Sequence, residues 1–314
     1  SGATPAQEVA YAFEIAKPYI EEVQARGLTA DAFVGSFSFN FNVYGNLWEQ
    51  IAKFRAARKL WARMLKEDYA VTNPKNLFLR GLFGGGGSGL TKAQPENNIM
   101  RGAFYALAAA LSGAQTTALC SFDEAYTIPT PRAALLSLRT LEIIMDEVGL
   151  RDTVDPLAGS YFVETLTKQM EEKILAEMQD VQKIGGMRHA VATGHIQRKV
   201  SRQAYEFEKG LQDGTYVKVG VNKYTDGVEN PPDVELHAHD ESWADEQTAG
   251  LRELRRTRDN REVARTLKAL ESGTRAGKNV MPYLVDCCRA YATVGEMAGV
   301  FRQVFGEWEE PGIF

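Results

Sequence analysis

Three times between residues 31 and 148 the chain runs through one order: a short apolar-alternating stretch, a loop, then an amphipathic helix. The strand patterns are "DAFVGSFSFNF" (31–41), "NLFLRGLF" (76–83) and "TTALCSF" (116–122); helical periodicity follows over 46–69, 95–111 and 131–148. A period of two indicates a strand and a period of 3.6 a helix. Strands that each feed a helix imply βα units and a parallel sheet, because parallel neighbours need a long crossover. The loops after the strands then gather at the carboxyl edge, where ligands bind in α/β barrels and open α/β sheets alike. A further helix precedes the first unit over 4–26, with Thr4 as N-cap, Pro5 at the first helical position, Glu8 in the first turn and Gly27 as the stop.

The character changes after Asp155, so we place the domain boundary there, dividing 1–155 from 156–314. The second part carries helical patterns at 164–184, 187–193 and 196–214, then a strand-like run that dissolves into a polar linker (216–242). Two more helices are expected, over 242–272 and 279–305. A net charge of −5 leaves no basic field for a nucleic acid. No apolar run reaches the roughly 18–20 residues that span a bilayer, so no membrane partner is expected. The opening "SGATPAQEVA" has neither the basic nor the apolar part of a signal peptide. Three cysteines (Cys120, Cys287, Cys288) make no disulfide framework, which points to a reducing, cytoplasmic setting.

The most unusual stretch is "FLRGLFGGGGSGLTKAQPENN" (78–98), where Gly84, Gly86 and Gly89 satisfy G-x-G-x-x-G. A dinucleotide site needs an acidic residue about 20 positions on, and a P-loop needs Lys directly after the last Gly. The chain has "ALAAALSG" and Leu90 instead. The loop is otherwise a flexible turn needing positive φ, or a mouth cleared of side chains for a ligand. His189, His195, His237 and His239 read as structural; His237 and His239 form a zinc half-site at most. Cys287 and Cys288 read as core of an apolar helix. Cys120 stands near a strand's carboxyl end without a histidine to activate it. Asp123 and Glu124 follow the third strand. Either could cap the next helix or accept hydrogen bonds from a bound sugar, and pattern alone does not separate these roles.

Several stretches together resemble the large subunit of the adenosylcobalamin-dependent acyl-CoA mutases, the methylmalonyl-CoA and isobutyryl-CoA mutase family. They are "GATPAQEVAYAF", "IAKFRAARKLWARML", "SFDEAYTIPT", "DTVDPLAGSYFVETLT", "IGGMRHAV", "VGVNKY" and "ATVGEMAGVFRQVFGEWEEPGIF". The resemblance implies an α/β fold: the C-terminal βα units of a (β/α)8 TIM barrel, strands six to eight, followed by a mainly helical extension. It implies adenosylcobalamin as cofactor, carried mainly by a separate cobalamin-binding small subunit, an acyl-CoA substrate, and a chain supplying the N-terminal barrel strands. The family's thioester-binding histidine falls upstream of Ser1.

Matched positions give the expected site. After strand six, Ser36, Phe37 and Ser38 correspond to a substrate-contacting segment, with Ser36 where methylmalonyl-CoA enzymes carry arginine; Asn40 replaces an aromatic wall. After strand seven, Arg80 matches "R-T-H-x-Q-T", while Leu82 replaces its histidine and Gly84 its glutamine. After strand eight, Gln115, Asp123 and Glu124 match, and Cys120 replaces an asparagine. Glu124 is then the carboxylate that binds the adenosyl ribose. These departures remove charge and add space, so the expected substrate is bulkier or less polar than methylmalonyl-CoA. Two other readings are a non-catalytic scaffold subunit and a nucleotide-binding protein using Gly84–Gly89.

Overall fold

The computed structural model describes residues 2–226 and 234–311. Helix α1 (Pro5–Ala25) opens with a reciprocal cap: Thr4 accepts from the Gln7 N–H and the Gln7 side chain accepts from the Thr4 N–H. Three βα units follow: β1 (Phe39–Val43) with α2 (Leu47–Asp68), β2 (Gly81–Gly85) with α3 (Asn97–Leu111), and β3 (Thr117–Leu119) with α4 (Pro131–Asp146). The strands are parallel in the order β1-β2-β3, with Asn40 beside Leu82, Phe41 beside Phe83, and Asn42, Gly84 and Ala118 in one row.

One face of the sheet is apolar. Phe41, Val43 and Phe83 are buried against α2, whose Ile51, Phe54, Trp61 and Leu65 recur at helical spacing. Phe54 meets Phe83 edge-on at 4.5 Å between centroids, and Trp61 meets Phe39 at 5.0 Å. Such pairs contribute about 0.5–1.5 kcal/mol beyond their burial.

The expected strand over 31–41 is only half a strand. Residues Ala30–Ala32 and Val34–Ser36 form two 3-10 turns, and β1 begins at Phe39. The cause lies 41 residues away. The Asp31 carboxylate accepts from the Thr72 and Asn73 N–H groups at 2.9 and 3.1 Å and from the Thr72 hydroxyl, pinning the turn to the loop before β2. Likewise β2 and β3 begin later than their patterns do.

Helices α5 (Tyr161–Lys183), α6 (Gly186–Ala192) and α7 (His195–Gln212) follow. Met170, Ile174 and Met178 of α5 join the core formed by α1 and α2. The first compact unit therefore runs through residue 155 to His237, and the second spans Ala238–Glu310. The division at 155 marks a change of composition that α5 bridges. The strand-like run beginning at 216 contains no strand among the described residues, only an isolated bridge between Val219 and Lys223; part of it, 227–233, lies outside them.

In the second unit the two expected helices are four: α8 (Ser242–Thr257), α9 (Asn260–Arg275), α10 (Met281–Arg289) and α11 (Val294–Phe305). Each break is a cap. Asp259 accepts from the Arg261 and Glu262 N–H groups, and Thr293 forms a capping box with Glu296. Cys287 is buried as expected, but Cys288 is exposed. Among the described residues no helix is long and apolar enough to cross a membrane.

Candidate functional site

The face of the sheet opposite the helices carries Asn40, Leu82, Asn42, Gly84 and Ala118, and Asn40, Asn42 and Ala118 are exposed. A barrel interior is ordinarily filled by bulky branched side chains. Here the row nearer the carboxyl edge is amide, hydrogen and methyl. A Cβ added to Gly84 would meet nothing closer than 3.9 Å, so this glycine leaves real space.

Its neighbours do the opposite. A Cβ on Gly89 would lie 2.4 Å from the Tyr105 hydroxyl, and one on Gly87 would lie 3.2 Å from Cγ of Glu124. No glycine from Gly84 to Gly89 has positive φ. The run is close-packed rather than a flexible turn: Gly84 and Gly85 belong to β2, and Gly87–Gly89 form a 3-10 turn. The next helix starts only at Asn97, so no helix N-terminus meets the glycines and the nucleotide cradle is not built.

The expected site residues divide between the two ends of the sheet. Ser36, Phe37, Ser38, Arg80 and Gln115 precede their strands and stand at the amino edge, not the carboxyl edge where the pattern put them. There Ser38, Phe78, Arg80, Leu82, Gln115 and Thr116 line an open cavity of ≈ 460 Å³. Asn40 and Leu82 lie on the face away from the helices, between the two ends. Gly84, Cys120 and Glu124 belong to the carboxyl half, where the Cys120 N–H donates to the Gly85 carbonyl at 3.3 Å. Burial, and then the Glu124 charge, push the Cys120 thiol up, which disfavours a thiolate.

The two acids after β3 separate cleanly. Asp123 is buried; it accepts from the Ser121 hydroxyl and from the Thr130 N–H at 3.2 Å, just before α4. Asp123 is the structural acid: it fixes Thr130, whose hydroxyl in turn caps α4. Glu124 is exposed beside Gly87, and its side chain has no hydrogen-bond or ion-pair partner among the described residues. Its carboxylate is free to accept from a ligand hydroxyl.

Other groups at this end escaped the sequence reading. Lys53 is 1% exposed, and its ammonium donates to Glu8 at 2.8 Å and to the Asn42 carbonyl at 2.6 Å. The second Glu8 oxygen accepts the Asn42 N–H at 2.7 Å. Phe39 and Val43 bond toward β2 (Phe39 N–H to Arg80, Gly86 N–H to Val43), so Asn42 turns its backbone groups to the other edge of β1, where Glu8 and Lys53 occupy them. The F-N-F-N alternation of 39–42 made Asn42 legible as a face partner of Asn40; nothing in the sequence paired Glu8 with Lys53. Lys218 donates to the Gly89 carbonyl, and Arg101 to the Val219 carbonyl at 2.8 Å, which seats the "VGVNKY" segment on the glycine turn. Burial, then the Arg101 charge, lower Lys218 to about 8. Among the described residues no group of His, Cys, Asp and Glu is placed to hold a metal.

The methylmalonyl-CoA mutase family model matches residues 1–307. The chain belongs to the methylmalonyl-CoA mutase family. It is 35% identical over its whole length to the 2-hydroxyisobutanoyl-CoA mutase large subunit of Aquincola tertiaricarbonis, covering 56% of that protein. It is 37% identical to the methylmalonyl-CoA mutase of Cereibacter sphaeroides over 98% of its own length and 43% of the relative's. The human mitochondrial methylmalonyl-CoA mutase is 35% identical, with 98% of this chain and 41% of that protein covered. The chain thus spans about half the length of the curated relatives it matches. Membership agrees with the parallel βα sheet described above.

Proposed function

We propose that this mutase-family chain forms part of an acyl-CoA mutase whose substrate is not methylmalonyl-CoA. The observation that carries this reading is the stripped inner face: Asn40, Asn42, Gly84 and Ala118 stand where packed residues would close a barrel's axis. Strands six to eight of a TIM barrel, completed by polypeptide outside these residues, would enclose a passage between the amino-edge cavity at Arg80 and the carboxyl edge at Glu124. A long thioester suits such a passage. Exposed apolar residues on α4 (Leu135, Leu138, Ile143, Met145) support packing against further polypeptide. The Aquincola relative's name adds a precedent for a different acyl group and for a second subunit.

Adenosylcobalamin, when bound, supplies the radical chemistry of the rearrangement. The unpartnered Glu124 carboxylate beside the close-packed Gly87 fits a ribose hydroxyl. Ser36, Phe37, Ser38, Arg80 and Gln115 would bind the thioester's polar tail end, and Asn40, Leu82, Gly84 and Cys120 would line the acyl end. Leu82 offers apolar surface worth about 1.5–3 kcal/mol if a ligand covers it. The test is a panel of acyl-CoA thioesters ranked by kcat/KM with the assembled enzyme. Branched or bulky acyl groups are expected above methylmalonyl-CoA, and Leu82→His with Gly84→Gln should move the preference toward small polar ones. Methylmalonyl-CoA ranking first would overturn the substrate assignment.

A further inference from the structure

We propose that Asn42 is a specificity-determining residue whose carboxamide reads a neutral polar group, a hydroxyl, on the acyl moiety in the space above Gly84. This inference rests on the mutase reading given above and sharpens it from a class of acyl-CoA to a functional group.

Four observations converge. Asn42 shares its row with Gly84 and Ala118, neither of which carries a polar or bulky side chain, so its amide is the only hydrogen-bonding side chain of that row. That amide makes no hydrogen bond among the described residues and is exposed on the inner face. It also lies close over the glycine turn: a Cβ on Gly86 would be 2.9 Å from its Oδ1. Finally, its backbone is fixed from both sides. The N–H donates to Glu8 at 2.7 Å, the carbonyl accepts from Lys53 at 2.6 Å, and Lys53 is itself buried. A side chain on so constrained a backbone loses little further freedom when it binds, which is the condition for precise recognition.

The chemistry of the row selects the ligand. A carboxamide both donates and accepts, so it matches a hydroxyl in either role. The row carries no charge. The nearby ammonium of Lys53 is held by Glu8 and by the Asn42 carbonyl at the strand edge, so a second carboxylate on the substrate would find no cation there. A hydroxyl meets a neutral partner and needs none.

The experiment compares two thioesters of nearly equal shape, 2-hydroxyisobutyryl-CoA and pivaloyl-CoA, which exchange a hydroxyl for a methyl group. The complete enzyme is purified with its partner chains, and kcat/KM and binding affinity are measured for both thioesters. Asn42→Ala and the nearly isosteric Asn42→Leu are the variants; both keep the backbone bonds to Glu8 and Lys53. The ratio of hydroxyacyl to pivaloyl kcat/KM is expected to fall roughly tenfold or more in both variants, the size of one lost hydrogen bond. An unchanged ratio in two folded, active variants overturns the role of Asn42 while leaving the mutase reading intact. A parent complex that neither binds nor converts any acyl-CoA overturns the mutase reading, and this assignment with it.

Discussion

Replacing Lys53 by methionine keeps the stem and removes the ammonium that binds Glu8 and the Asn42 carbonyl. Removing one partner of a buried ion pair costs about 3–5 kcal/mol because the other charge stays behind unpaired. Glu8 retains 23% side-chain exposure, which moderates that cost by letting water reach its carboxylate. The abandoned Asn42 carbonyl adds only a little to it, since Asn42 is exposed and water can take the place of the ammonium. The ammonium also sits 4.3 Å from the Phe54 ring centroid, a smaller loss. Together these predict a destabilisation of about 3 kcal/mol for Lys53→Met. Adding Glu8→Gln should recover roughly 1 kcal/mol or more, because the amide oxygen still accepts the Asn42 N–H without a buried charge. Urea unfolding monitored by circular dichroism measures both variants, with amide exchange at Asn42 as a local probe. If Lys53→Met lies within about 0.5 kcal/mol of the parent, the pair is not holding the strand edge and the reasoning fails.

Two further outcomes follow from the site and from the second unit. Glu124→Gln should weaken binding of adenosylcobalamin by the assembled enzyme by about 1.5–3 kcal/mol with thermal stability unchanged, whereas Asp123→Asn should lower stability; the reverse pattern in melting and cofactor titration would exchange their roles. Glu296, held down to about 2 chiefly by Arg258 and also by the Thr293 N–H, has a folded value below its ordinary 4.5, so its contribution is complete above pH 4.5 and lost as pH falls toward 2. Hydrogen exchange across α9–α11 of the whole chain should show that loss, about 1 kcal/mol after solvent screening, and Glu296→Gln should abolish its pH dependence.

The local signals in the sequence were dependable where local chemistry decides. Thr4, Pro5 and Gly27 bound α1 as read, Asn46 and Thr130 cap α2 and α4, and the three βα units are present. Thr293 and Glu296 carry a capping-box spacing that marks the start of α11, so that break was legible too. What was not legible depends on residues far apart in the chain. The Phe-rich alternation of 31–41 looks uniform, yet Asp31 folds its first half against residues 72–76. The ends of the strands, and therefore the edge on which Ser36 or Arg80 falls, shifted with it. Whether a glycine opens space or merely permits contact is settled by Tyr105 of α3 and by Glu124 after β3. Asp123 and Glu124 are indistinguishable as neighbours in a string and differ only in what reaches them.

The occupied edge of β1 bears on what this sheet can pair with. Of the even-numbered residues in that five-residue strand, Asn42 has both backbone groups already bound, which leaves only Asn40 to recruit a foreign strand. A buried lysine and a glutamate at the margin repel the flat, self-templating contacts through which orphan sheets aggregate. The same two side chains set a limit on legitimate pairing, since an incoming strand can zip along β1 only as far as Asn40. The sheet therefore carries its own guard against clumping, and that guard doubles as a stop for any strand that pairs at this edge.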